Sequence, residues 1–307
     1  MDFGRWCRAL VSVAIVGAAG LPVSVGASDQ EADALPHQST AGNRQEGVNE
    51  KMQNLTQSVL NKDLAAVLAA REIGPAANRE LLPLTRNPDA KVRRIALYCL
   101  NETGGKEAGQ AFTDALLDDD DQVVGAALEG LRHHPKSASP ERLLQVYDRA
   151  QDPATRQQIM LIVARFSGEV DPQKVRMRYD KEKDPAAREG GLAALAQLKD
   201  MDARNEFVRR LQASSGPERL RFLDYCEWLH DPWLLRPLQP LLGDTTAAIR
   251  VGTDARPDLI QSLRTCDVVV NLVASITQRK FSFPVNDATN YNAAQLDEVK
   301  AFIRASP

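Results

Sequence analysis

Few residues in this chain have the types and spacing for chemistry. Arg264, Asp267 and Asn271 form a compact polar set in an apolar stretch, Arg264-Thr-Cys-Asp-Val-Val-Val-Asn271. On a helix, Asp267 and Asn271 stand four apart and share a face. A carboxylate among apolar neighbours demands a partner. One use is a lock, in which Asp267 holds the backbone of the following aromatic loop or pairs with an arginine. The other is a polar spot in a ligand groove, as an enzyme or a lyase- or chaperone-type module would need. Full pairing of Asp267 favours the lock; an open pocket and a raised carboxyl pKa favour the groove. Tyr225, Trp228 and Trp233 cluster in a chain that is only 5% aromatic. Tryptophan is enriched at binding hot spots, and it also fills cores where packing changes pitch. These three are the candidate partner anchors.

Other chemistries find less support. The four histidines are His37, His133, His134 and His230. His133 and His134 precede Pro135, where a helix ends and an imidazole suits the dipole. The acidic run at 118–121 lacks the glycine that a calcium loop needs at its sixth position, which is Val123 here. It reads as a turn whose acids cap the next helix. The chain has no dinucleotide fingerprint, phosphate loop or Gly-x-Ser-x-Gly elbow. No cofactor, metal or catalysis is expected.

The elements that would position these residues follow a period. Pro153, Pro185 and Pro217 are 32 apart, each in a polar turn, and Pro88 and the acidic run at 118–121 continue the series backwards. After each turn comes a helical stripe: Val92, Ile95, Ala96, Cys99; Val124, Ala127, Leu128, Leu131; Ile159, Ile162, Val163, Phe166. Shorter helical patterns precede the turns. Such units cannot bury their apolar faces alone, so neighbours must stack. The prediction is all-α: an α-solenoid of about six helical hairpins with a C-terminal capping helix.

Asn87-Pro-Asp-Ala-Lys-Val-Arg93, Asp152-Pro-Ala-Thr-Arg156 and Asp184-Pro-Ala-Ala-Arg188 resemble HEAT repeats of the short bacterial variety. The resemblance implies an Asp–Arg ladder through Arg93, Arg156 and Arg188. Metal-dependent HEAT enzymes carry His-Glu pairs, and this chain has none. The Trp–Leu–Gly–Tyr pattern of tetratricopeptide repeats is also missing. Lys91, Arg94, Arg219 and Arg221 add to a basic stripe on the second helices, interleaved with Glu189, Glu218 and Asp224. The stripe either attracts polyanions or serves the ladder and solvent. The ending, with its Arg-x-Cys-Asp helix and aromatic loop, is similar to the C-terminal module of exported bacterial HEAT-repeat proteins of unassigned function.

The 307 residues divide unevenly. Residues 1–27 have two arginines before an apolar run, and small residues at Val25-Gly26-Ala27, the order of a signal peptide. Residues 28–50 read as a disordered linker and 51–250 as the repeat array. In 251–307, one long helix is expected over 258–277, then an aromatic loop and a helix from Asn292. Removing 1–27 takes the net charge from −3 to −4, which disfavours nucleic acid. No later segment is long and apolar enough to span a membrane. Cys99, Cys226 and Cys266 remain, with a Cys226–Cys266 disulfide left open. The expected role is an exported scaffold or adaptor, periplasmic or secreted, that binds a protein or peptide partner on its curved face.

Overall fold

Aspartate starts six of the described helices. Asp89, Asp120, Asp152, Asp171, Asp184 and Asp200 each accept one or two of the first free N–H groups of the helix that follows. Pro153, Pro172 and Pro185 occupy the first helical position, where no N–H is missed. Recurrence of this start signal yields the repeat. The computed structural model describes residues 40–251, 261–286 and 288–306, and 46–307 form one compact unit.

Helices pair in chain order: α1 (Thr40–Leu60) with α2 (Ala65–Ile73), α3 (Asn78–Leu84) with α4 (Ala90–Thr103), α5 (Lys106–Ala115) with α6 (Asp121–His133). Then come α7 (Pro140–Tyr147) with α8 (Pro153–Ala164), α9 (Pro172–Lys181) with α10 (Pro185–Gln197), and α11 (Met201–Ala213) with α12 (Gly216–Leu229). The second helix of each pair packs on the second helices of its neighbours, α2 on α4, α4 on α6, α8 on α10. The apolar stripes form one continuous core from Leu55 to Ile303. The fold is an all-α solenoid of HEAT-like hairpins, as the period predicts.

The last unit departs from the pattern. Its first helix is α13 (Leu235–Leu238) with a 3-10 turn, Gln239–Gly243. An antiparallel ribbon of β1 (Ala247–Val251) and β2 (Gln261–Arg264) follows, with Ile249 opposite Leu263. Only then does α14 (Thr265–Thr277) begin. The N–H groups of Thr265 and Cys266 bond to Thr246 O and Asp244 O at 2.9 Å. Helix α14 therefore starts where the turn at Asp244 would have led directly, and the ribbon is an insertion in that turn. The single helix expected over 258–277 is corrected: 261–264 are strand, and 258–260 lie outside the described residues. The ribbon also crosses the expected boundary at 250. The linker expected over 28–50 is corrected too, because α1 is helical from Thr40. The signal peptide and 28–39 lie outside the described residues. Helix α15 (Ala293–Ala305) closes the array, with the Asn292–Gln295 capping box as expected. Among the described residues no helix is long and apolar enough to cross a membrane.

Candidate functional site

The arginine ladder is structural. Arg93 donates to Asn87 O and Pro88 O in its own turn (3.0 and 3.1 Å) and to both oxygens of Asp118 in the next (2.8 and 2.6 Å). Arg156 repeats this with Ala150 O, Gln151 O and Glu182, and Arg219 with Ser214 O and Asp244. Arg188 holds Tyr179 O and Glu182 O, its guanidinium 4.1 Å from the Tyr179 ring. Arg221 pairs with Glu189. These members of the basic stripe are engaged internally. Planar guanidinium forks suit such multidentate bonding.

The aromatic cluster does not form one surface. Tyr225, Phe222, Phe207 and Trp233 make a chain of edge-to-face contacts, 5.2–5.9 Å between centroids, running through the core. Tyr225 is 6% exposed, and its hydroxyl lies between Gln157 Nε2 (2.6 Å) and Glu189 (3.1 Å). Trp233 is partly exposed, with Arg204 over its ring and its indole N–H donated to Gln197. Trp228 stands apart from that chain. Its indole N–H donates to Leu161 O at 2.6 Å, two units away, past α10. Leu161 O is free to accept because Arg165 N bonds back to Ile162 O as α8 ends. Arg132 and Arg165 sit 5.5 and 5.8 Å from the Trp228 ring, bringing α6, α8 and α12 to one partly exposed indole.

The reach past α10 depends on small residues. A Cβ on Gly190 would lie 2.6 Å from Gln157 O, so α10 and α8 approach as only glycine allows. Helix α10 is buried at every position from Gly190 to Gln197.

Arg264, Asp267 and Asn271 come together as a lock. Asp267 is fully buried and ends the turn into α14. It accepts Arg264 N (2.9 Å), Arg264 Nε (2.9 Å), Arg264 Nη2 (2.7 Å) and Tyr291 N (2.9 Å). Burial pushes the Asp267 carboxyl up, but Arg264 and the Tyr291 N–H outweigh it and hold it below the usual range. Tyr291 OH donates to Asn271 Oδ1 at 2.7 Å. Phe281 stacks on Phe283, which meets Tyr291 at a tilt of 53°, and Phe281 meets Phe302 of α15 edge to face. The set ties the loop before α15 onto α14. Arg264 ends β2 and precedes the helix, where the sequence placed it within one long helix.

The histidines and acids near residue 120 are also engaged. His134 lies 2.7 Å from Asn101 O, and His133 meets Asn101 and Glu129. Asp118 serves Arg93, and Asp120 caps α6. Cys99, Cys226 and Cys266 are buried free thiols, so the Cys226–Cys266 disulfide is absent from this structure. Among the described residues no three His, Cys, Asp or Glu side chains form a group that would hold a metal. The sequence reading missed Arg132, Arg165 and Tyr291, all supporting residues whose partners lie far along the chain. The Gly190-Gly191 pair was the available signal for the close approach.

A family model described as HEAT repeats matches residues 60–132. No curated protein matches the chain. Among solved structures, the complex of CpcE and CpcF of phycocyanin lyase from Nostoc sp. PCC7120 is similar at 12% identity, over 91% of this chain and 100% of that one, with a TM-score of 0.47. Human deoxyhypusine hydroxylase in complex with glycerol is similar at 15% identity, over 86% and 98%, with a TM-score of 0.33. An engineered protein is similar at 13% identity, over 79% and 93%, with a TM-score of 0.29.

Proposed function

We propose that the protein is an exported, non-catalytic scaffold that holds a protein or peptide partner on the inner side of its solenoid, the side turned away from the first helices. The observation that supports this best is Trp228. It is a partly exposed indole bracketed by two guanidinium groups, and three different units support it. An aromatic ring held rigid beside cations suits a partner segment with an apolar side chain next to a carboxylate. Trp233, bonded to Gln197 of α10 and packed on Phe207 of α11, is assigned a packing role. Arg264, Asp267 and Asn271 are engaged in internal hydrogen bonds, which favours binding over a reaction at that end. Export rests on residues 1–27 and their expected removal before Ser28.

The test is a crosslinking pulldown from the envelope fraction with wild type, Trp228→Ala and Trp233→Phe. Loss of one partner with Trp228→Ala alone is expected, and identical recovery from all three overturns the reading. N-terminal sequencing of the exported protein checks cleavage, and a mature chain that still begins at Met1 overturns the export proposal.

A further inference from the structure

The repeat aligns the second helices residue by residue. Helices α2 and α4 end alike, at Gly74 and Gly104, each with a positive φ and its N–H bonded four residues back, to Ala70 O and Leu100 O. Counting back from those glycines sets Leu64 in register with Arg94, and Leu68 with Tyr98. Helices α4, α6 and α8 start alike, at Asp89, Asp120 and Asp152. Counting forward sets Arg94, Gly125 and Gln157 in one row. Each of these residues is exposed or partly exposed, while Ile95, Ala96 and Ala126 beside them are buried. The row therefore runs along the inner side, across α2, α4 and α6.

Three features of this row have no internal use. Leu64 and Leu68, one turn apart on α2, are 61% and 65% exposed, a paired apolar surface with no cover. Arg94 has a buried Nε without a hydrogen-bond partner, and it forms no ion pair among the described residues. Such a donor is costly to leave unpaired. Arg219 shares the bare Nε, but its other nitrogens hold Ser214 O and Asp244. Acids on the adjoining stripes turn elsewhere, Glu102 to Arg71 and Glu129 to His133. The third feature is Gly125. Glycine inside a helix costs stability, and a Cβ there would meet nothing within 4 Å, so packing does not require it. Close approach of another backbone is the use that remains.

We propose that this row binds an extended segment of a partner, with an apolar side chain on Leu64 and Leu68, a carboxylate on Arg94 and its backbone against Gly125. A carboxylate is the group that satisfies an uncommitted guanidinium with parallel hydrogen bonds. Packed helices lie about 8–10 Å apart, and an extended chain advances about 3.3 Å per residue, so the acid stands about three residues from the apolar side chain. The proposal rests on the reading that the inner side is the partner side. It adds the class of sequence selected at the end remote from Trp228.

The test pans a phage library of random peptides on the exported, full-length protein. Enriched peptides should carry Asp or Glu about three residues from Leu, Ile, Phe or Met. Panning on Arg94→Glu should replace that acid with Lys or Arg, an exchange that a structural role for Arg94 would not produce. A synthetic peptide from the wild-type pool, read by fluorescence anisotropy, should bind Gly125→Leu about tenfold more weakly, although that variant melts no lower than wild type. No enrichment, enrichment without an acid, the same acid selected by Arg94→Glu, or equal binding by Gly125→Leu overturns the proposal. So does a wild-type dimer that Leu68→Glu splits, which would assign the patch to a second copy. The Trp228→Ala pulldown reads the other end, so either reading can fail while the other stands.

Discussion

Arg165 and Trp228 are joined in both directions: the Arg165 guanidinium donates to Trp228 O at 2.9 Å and lies 5.8 Å from the ring, while the residue's own N–H turns back to Ile162 O and frees Leu161 O for the Trp228 indole. One residue thus closes the ends of two helices that are not sequence neighbours in the array. The ring is held by a hydrogen bond at one edge and cations around it, so its orientation is fixed before any partner arrives.

Replacing Trp228 with phenylalanine keeps an aromatic ring but leaves Leu161 O without its donor. A loss of about 1 kcal/mol in unfolding free energy is expected, that of one hydrogen bond. Trp228→Ala should lose about 3 kcal/mol through the added cavity. Urea denaturation of the two variants checks the order; equal losses would show that the indole N–H contributes nothing.

Glu182 sets a pH dependence. Burial pushes its carboxyl up, but Arg156, the Asp184 N–H and the Tyr147 hydroxyl prevail and hold it at about 2, against 4.5 for the free group. A depressed folded-state value means the stabilisation is complete above about pH 4.5 and is lost as pH falls toward 2. The contribution is on the order of 2–3 kcal/mol for this nearly buried side chain. In Glu182→Gln the stability difference from wild type should shrink across that window. A constant difference from pH 5 to pH 2 would contradict the assignment.

Two glycines in second helices should respond oppositely to alanine. At Gly190 the new Cβ meets Gln157 O at 2.6 Å, and backbone cannot yield cheaply, so a loss of about 1–3 kcal/mol is expected. At Gly125 a new Cβ meets nothing within 4 Å, so Gly125→Ala should gain about 0.5–1 kcal/mol from helix propensity. Thermal melts of both variants decide this.

The thiols should be silent in the folded state. Burial pushes Cys99 up to about 12 and raises Cys226 and Cys266 as well. Thiolate is the reactive form. Alkylation followed by mass spectrometry should leave all three unmodified until denaturant is added, even without reductant. A Cys226–Cys266 crosslink in the native protein would contradict the structure.

The repeat was legible because it is local. Asp152 and Asp184 cap helices a few residues away, and the spacing of Pro153 and Pro185 marks each start. Arg93 and Arg156 also follow, since the ladder recurs with the period. The ribbon was not legible. Gln261-Ser-Leu-Arg264 is four residues long, and periodicity cannot separate so short a strand from the start of a helix. The lock was half legible: the burial of Asp267 called for a partner, but nothing near it in sequence points to Tyr291. The separation of Trp228 from Trp233 was not legible either, because Trp228 lies on α12 and Trp233 on the 3-10 turn Pro232–Leu234 after it, and their partners are Leu161 and Gln197.

The bond from Trp228 to Leu161 changes how the array should come apart. Stacked repeats that touch only their neighbours fray from an end, one unit at a time. A contact that reaches past a neighbour ties the units holding α8, α10 and α12 into a single cooperative block, so the stretch 153–229 should open all at once. Hydrogen exchange would then show uniform protection across these three helices, with a graded fall toward α2.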